Sequence, residues 1–331
     1  MMRSGPLNLI TDVSGFTVGS AVDQAAATGV TTLFCGGLWK AGVDVRGGGP
    51  GVRETDTLSP ENLVGAAHAI VLTGGSVFGL GAADGVAAGL SARNVGLRLQ
   101  SHTPAIPIVP AAVLHDLGNE GDKAWGLEPP YRRLGLETIE AASDRFALGS
   151  VGAGWGAKAG VVRGGLGSAS VDLADGLMVG ALVAVNPAGS VYMPDGETFW
   201  AWPFELDGEF GGRRPSGEMS APEPIPDDTK LARMGRLQAG SNTTIAVVAV
   251  NADLTGVECK RLAIMAQDGL ARAIRPVHTP FDGDTVFSVA SGEVSLGEGA
   301  GRNLKVARLG SAAADCLARA IARGVHHAAK G

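Results

Sequence analysis

The stretch AGSNTTIAVVAVNAD, residues 239–253, sets a hydroxyl at the mouth of a run that reads as a buried strand. A threonine hydroxyl is a poor nucleophile unless a base sits beside it. Thr243 would acquire one if the bond from Asn242 were cut, because its own α-amine would then lie next to its hydroxyl. An α-amino group titrates at about 7.7–8.0 in simple peptides, so a useful neutral fraction exists at physiological pH. That amine can take the hydroxyl proton directly or through a water. Residues 244–250 would supply the rigid strand such a terminus needs. A plainer reading stays open at this level, since Asn favours turns and Thr favours strands.

Other chemistry is poorly supported. FDGDTVF places Asp282 and Asp284 two residues apart, which suits a hard cation, but no further ring of oxygens accompanies them as in an EF-hand. The same pair also reads as an Asp-Gly turn in a hairpin. His326 and His327 are adjacent and point to different faces of a helix. GAGWGAKAG (152–160) contains Lys158 but lacks the P-loop spacing, and TGGSVFGLGAADG (73–85) puts Asp84 where a dinucleotide fingerprint needs its third glycine. No Gly-x-Ser-x-Gly elbow seats a catalytic serine. Neither a metal nor a cofactor is expected.

Composition bounds the rest. A chain of 331 residues, 45% hydrophobic and 18% charged, describes a soluble globular protein able to bury a sizeable core. A net charge of -6 leaves no basic footprint, so nucleic acid is not an expected partner. Cys35, Cys259 and Cys316 match no metal spacing and suggest free thiols in a reducing compartment. The start has no apolar h-region, and the apolar run 70–90 is interrupted by Gly74, Gly75, Gly79, Gly81 and Asp84. It reads as a buried small-residue helix after a strand or turn, so neither secretion nor membrane insertion is expected and the location expected is cytoplasmic. The 51 glycines, about twice the usual share, follow no period and point to close-packed layers and tight turns.

The elements that must carry Thr243 follow from the pattern. Strand-like runs occur at 30–35, 105–109, 180–186, 243–250 and 285–290. Helical spacing appears at 256–274 through Leu262, Ala266 and Leu270, widened by Met265 and Ala273, and at 303–328 through Leu304, Ala307, Ala314, Leu317 and Ile321. Mixed strands and helices without a repeat predict a layered α/β or α+β domain. Residues 206–240 turn polar and rich in Gly and Pro. A loop of that length is either a linker or a functional segment that delivers the 242–243 bond to a site.

Several separated segments, taken together, resemble one family. They are TDVSGFTVG, WKAGVDVRGGGPGVRETD, LTGGSVFGLGAADGV, GAGWGAKAG, VAVNPAGSV, GSNTTIAVV and HTPFDGDTVFSVA, and they span nearly the whole chain in order. The set is similar to the L-aminopeptidase D-amidase/esterases and β-peptidyl aminopeptidases, among which nylon-oligomer hydrolase belongs. The resemblance implies an α+β fold, an αββα four-layer sandwich of the N-terminal-nucleophile type. It implies one domain over 1–331, made as an inactive chain and cut between Asn242 and Thr243. The pieces would be 1–242, ending in a mobile loop 206–240, and 243–331.

By the same resemblance, the Thr243 hydroxyl first attacks the Asn242 carbonyl in an N–O acyl shift and later attacks substrate amides. Asn186 takes the place of an oxyanion-stabilising Asn. Lys158, unusual inside a Gly/Ala run, matches a lysine that orients the nucleophile, and Asp282 and Asp284 match an acidic pair close to it. A carboxylate there could pair with Lys158 or the new ammonium. Thr in place of Ser, together with Lys158, points to the nylon-hydrolase-like branch rather than strict aminopeptidase action. Implied substrates are small peptides or amides, such as β-peptides, D-amides or 6-aminohexanoate oligomers. Cleaved units are implied to assemble as dimers or tetramers. The same fold also serves acyl transfer of the ornithine acetyltransferase kind, and an uncleaved ligand-binding homologue is a further alternative. The aromatic knot at 199–204 reads as core or subunit contact rather than cleft lining.

Overall fold

The β-branched run after Asn242 forms a strand in which all ten residues are buried. Its two faces enter two different cores: Ile245, Val247 and Ala249 join one apolar cluster, while Ala246, Val248 and Val250 join another. A strand covered on both faces has no need of polar alternation, which explains its continuous apolar sequence. The computed structural model describes residues 2–216, 222–233 and 242–330.

In chain order the early strands are β1 (Phe16–Asp23), β2 (Thr28–Val45), β3 (Val52–Arg53), β4 (Ala66–Thr73) and β5 (Ala111–Val113). After them come β6 (Lys158–Ala159), β7 (Val162–Arg163), β8 (Gly165–Asp172), β9 (Met178–Asn186), β10 (Thr243–Ala252) and β11 (Thr285–Val294). The helices are α1 (Gly81–Ala92), α2 (Tyr131–Glu140), α3 (Lys230–Arg233), α4 (Gly256–Ala266), α5 (Asp268–Ala273) and α6 (Ala300–Ala328). The large sheet runs β3-β5-β4-β2-β11-β10-β9-β8, with β1 also on β2, and β6–β7 form a small ribbon.

Strand β2 is the joint of the molecule. Its first half pairs with β1, its second half with β11, and a register shift against β4 falls between Phe34 and Trp39. The continuous ladder therefore serves two packed sheets. Leu33, Ile70 and Leu72 from one side meet Leu182, Ile245 and Phe287 from the other in the inter-sheet core. A second core lies beneath α4, α5 and α6, and a third beneath α1 and α2. Three cores separate four layers, helix–sheet–sheet–helix, as expected. Full burial of a residue such as Phe287 contributes about 1.5–3 kcal/mol.

Small residues set the spacing of the outer layer. A Cβ on Gly167 of β8 would lie 1.9 Å from the Ala320 carbonyl of α6, so helix and sheet meet at main-chain distance only because Gly is there.

The structure corrects several element expectations. Residues 105–109 form no strand beyond a single bridge from Ile106 to Leu97; Pro104, Pro107 and Pro110 remove ladder donors, and the strand begins at Ala111. The helix over 256–274 is two, α4 and α5, divided at Gln267, with a Thr255–Glu258 capping box opening the first. The buried face of α6 starts at Val306 and Leu309, and Leu304 is 74% exposed. Strands β1 and β8 and helix α2 lay outside the sequence expectation. Phe199 packs into the core beneath α6, against Tyr192 and Phe210. Among the described residues, no helix is long and apolar enough to cross a membrane.

Within 206–240, the stretches 217–221 and 234–240 lie outside the described residues. Between them, residues 222–230 are tied down. Asp228 accepts through its carbonyl from Val161 N–H at 3.1 Å and through its carboxylate from the Ser190 hydroxyl, and Lys230 N–H donates to the Ala188 carbonyl at 2.9 Å.

Candidate active site

Thr243 opens β10 directly opposite Asn186, the last residue of β9. Residues facing each other across an antiparallel pair project to the same side. Here that side is the inter-sheet side, because Ile245 and Ala184, two residues along each strand, both belong to the inter-sheet core. The two side chains therefore project to the same side at the end of the β9–β10 ladder, beyond the last apolar residues of the inter-sheet core. Thr243 is nonetheless only 2% exposed.

The Asn242 carbonyl is the focus of the hydrogen bonding. It accepts from the Thr243 hydroxyl and, at 2.9 Å, from the Gly283 N–H. Asn242 also bridges Asp282 in parallel fashion, so the chain ahead of β10 continues alongside the loop ahead of β11. Gly283 leaves room for this approach: a Cβ there would lie 2.7 Å from Thr243 Oγ1 and 2.8 Å from the Gly49 carbonyl. A hydroxyl, a carbonyl and a main-chain donor are thus gathered at the bond between 242 and 243. A donor already on a carbonyl oxygen stabilises the oxyanion that forms when that carbonyl is attacked.

Asp282 and Asp284 hold this loop in shape. Asp282 accepts from Ala188 N–H at 3.0 Å and Thr279 N–H at 2.9 Å, and also from the Thr279 hydroxyl. Asp284 accepts from Thr244 N–H at 2.8 Å and from His278, whose N–H lies at 3.1 Å and Nδ1 at 2.8 Å. Burial, and then the neighbouring charge of Asp284, raise the Asp282 pKa. Their Asp-Gly-Asp sequence leads into a strand that pairs in parallel with β10, not into a hairpin. The glycines of RGGGPG cradle the loop from outside, with Gly49 N–H on the Asp282 carbonyl at 2.8 Å and Arg46 N–H on the Asp284 carbonyl at 2.9 Å.

The Asn186 amide is oriented by its partners. Its Oδ1 accepts from the Lys158 main-chain N–H at 2.9 Å and from Lys230 Nζ at 3.2 Å, while its Nδ2 donates to the His115 carbonyl at 3.1 Å. Two donors on one atom and a carbonyl on the other fix which end is oxygen. The second N–H of Nδ2 has no hydrogen-bond partner among the described residues, and Asn186 stands directly opposite Thr243. Lys158 thus reaches the site through its main chain, and its side chain is exposed on the wall of an 80 Å³ cleft with Trp155, Asn119, Glu120 and Arg163. Among the described residues, no ion pair joins Lys158 to Asp282 or Asp284.

The structure therefore brings Asn242, Thr243, Asn186, Asp282 and Asp284 together, with Lys158 at the edge. It adds Gly283, Lys230, His278 and the His115 carbonyl. Gly283 and His115 act through main-chain atoms, on which side-chain type is silent. His278 lies within a motif quoted for the resemblance, so nearness to Asp284 was the available signal. No group of His, Cys, Asp and Glu among the described residues suits a metal ion.

With this geometry in hand, comparison with known proteins is decisive on family. The profile of peptidase family S58 matches residues 8–330. The chain belongs to that family. It is accordingly a hydrolase of the aminopeptidase and amidase class. An uncharacterized aminopeptidase of Mycobacterium tuberculosis (strain H37Rv) is 42% identical, over 97% of this chain and 94% of its own length. A 6-aminohexanoate-oligomer endohydrolase of Paenarthrobacter ureafaciens is 29% identical, over 94% and 84%. Among solved structures, the L-aminopeptidase D-Ala-esterase/amidase of Ochrobactrum anthropi superposes with a TM-score of 0.69 at 19% identity, over 97% of this chain and 86% of that one. It is described as a variant of the Ntn hydrolase fold. A Burkholderia sp. beta-aminopeptidase gives 0.68 at 22% identity, over 98% and 88%. The fold of this S58 member is the one these enzymes share.

Proposed function

We propose that this S58 member cuts its own Asn242–Thr243 bond and then hydrolyses small peptides or amides with Thr243 as nucleophile. One observation carries the reading: the Thr243 hydroxyl and the Gly283 N–H both engage the Asn242 carbonyl, opposite Asn186. In the first step, the Thr243 oxygen bonds to the Asn242 carbonyl carbon while its proton passes to a base. Gly283 N–H and the Asn186 amide receive the oxyanion. Collapse breaks the bond to the Thr243 nitrogen, which takes up a proton, and water hydrolyses the resulting ester. The products are an Asn242 carboxylate and a free Thr243 amine.

In turnover, the same oxygen attacks a substrate carbonyl placed where Asn242 stood, with the new amine as base. An acyl-Thr243 ester forms, the amine product leaves with a proton, and water releases the acid. Burial explains the order of events. With Thr243 2% exposed in the uncut chain, no substrate reaches it until the Asn242 end has left.

The relatives' names suggest the substrate class: peptides, as for an aminopeptidase, or 6-aminohexanoate oligomers. The test is to incubate the purified protein with a panel of both kinds, alongside Thr243→Ala. Hydrolysis of at least one class, abolished in the variant, is expected. Hydrolysis that survives in Thr243→Ala would contradict the assignment.

A further inference from the structure

Lys230 touches the site through Asn186 but has no part in the steps above. It belongs to the segment just ahead of the 242–243 bond, and its Nζ lies 3.2 Å from Asn186 Oδ1 and 3.4 Å from the Asn186 carbonyl. Among the described residues no carboxylate lies within ion-pair distance of it. An amine held against the two oxygens of Asn186, with no carboxylate to pair it, is an expensive way to stabilise a fold, and an apolar residue of similar length would cost less. Its placement is also not accidental to a loose loop. Lys230 N–H is bonded to Ala188, Asp228 is held by Val161 and Ser190, and the Pro222 and Glu223 carbonyls accept from Arg275.

We propose that Lys230 is a positioning residue of the Thr243 site, holding the Asn186 amide with its N–H edge toward the oxyanion. This rests on the self-cleaving reading above. Turning the amide over would set N–H groups against both the Lys158 N–H and the Lys230 amine, and a carbonyl against the His115 carbonyl. Lys230 therefore contributes by making the wrong orientation costly. The groups facing it fit that task. Burial pushes the Lys230 amine down to about 7, Asp282 opposes this, and Lys158 adds to it. His115, itself lowered first by burial, feels the Lys230 charge from the strand β5 side. Because residues 222–230 are tied to β7 and β9 neighbours rather than to residue 242, Lys230 stays in place after the cut and serves turnover as well.

The test is a double-mutant cycle on the first-order rate of self-cleavage. Lys230→Met is expected to slow it about 10–100-fold, the range for a lost hydrogen bond to a charged or amine donor. Lys230→Arg keeps a donor and is expected to recover most of that loss. In the Asn186→Ala background, Lys230→Met should cost little more, because Lys230 acts through Asn186. In the cut enzyme, Lys230→Met should lower kcat with KM nearly unchanged. Multiplying costs in the double variant, or a Lys230→Met chain that cuts at the wild-type rate, would overturn the proposal. A wild-type chain that never cuts would instead remove the reading on which it rests.

Discussion

Gly283 is the residue whose importance is easiest to overlook, because what it offers is an N–H and the absence of a side chain. Gly283→Ala would push a methyl to 2.7 Å from the Thr243 hydroxyl oxygen and displace the donor on the Asn242 carbonyl. Self-cleavage is expected to slow about 10²–10³-fold, the usual loss for one oxyanion donor. Gel densitometry of the uncut chain over time measures it, and an unchanged rate would remove Gly283 from the site. Asn186→Ala should cost a similar factor by the same assay. At this scale, sequence was informative wherever a side chain does the work. Thr243 is legible from residue type, while Asn186, Asp282 and Asp284 enter the site through the family resemblance, and the structure gathers all four around the 242–243 bond. Lys158 was named for its side chain, yet its main-chain N–H makes the contact with Asn186. Lys230 was hidden in a polar Pro/Gly stretch where lysines are ordinarily solvated.

Among the elements, the loop leaving β5 controls how well the site is aimed. His115 supplies the carbonyl that receives Asn186, and next to it the fully buried Asp116 accepts from the Thr28 hydroxyl at 2.6 Å and the Gly75 N–H at 2.8 Å. Tyr131 of α2 extends the chain with its hydroxyl 3.3 Å from that of Thr28. Burial raises the Asp116 pKa, and the two donors only partly counter it. Asp116→Ala would orphan a buried N–H and a buried hydroxyl, lowering stability by about 1–3 kcal/mol. Urea unfolding of the uncut Thr243→Ala chain, with and without the second change, reads this directly. Equal midpoints would show that the network does not hold the loop. Elements were legible where a largely apolar, β-branched run stood out, as in β10, β9 and β11. Prolines defeated the reading at 105–109, and in α6 the apolar Leu304 is solvent-facing, so composition misplaced the start of the buried stripe.

For the whole molecule, the position of β10 and β11 decides what a cut would do. Both lie inside the large sheet, with β9 on one side and β2 on the other, so 243–331 is flanked by strands of 1–242. Parting the two would break both ladders and open the inter-sheet core and the core beneath α6. The cut protein should therefore elute as one species in native size-exclusion chromatography and resolve into two only in denaturant. Separation under native conditions would contradict the interleaved topology. The layered architecture itself was accessible from the ordered family segments, whereas the double role of β2, one strand serving two sheets across Gly36 and Gly37, has no local signature.

The Asn242–Thr243 bond is proposed to be cut by Thr243 itself. Intact-mass measurement of purified wild type over time, beside Thr243→Ala prepared identically, tests it most directly. Wild type should yield pieces of 242 and 89 residues, the smaller beginning at Thr243, while the variant stays at 331 residues. A wild-type chain that remains whole after long incubation at neutral pH, or a variant cut at the same bond, would contradict the account.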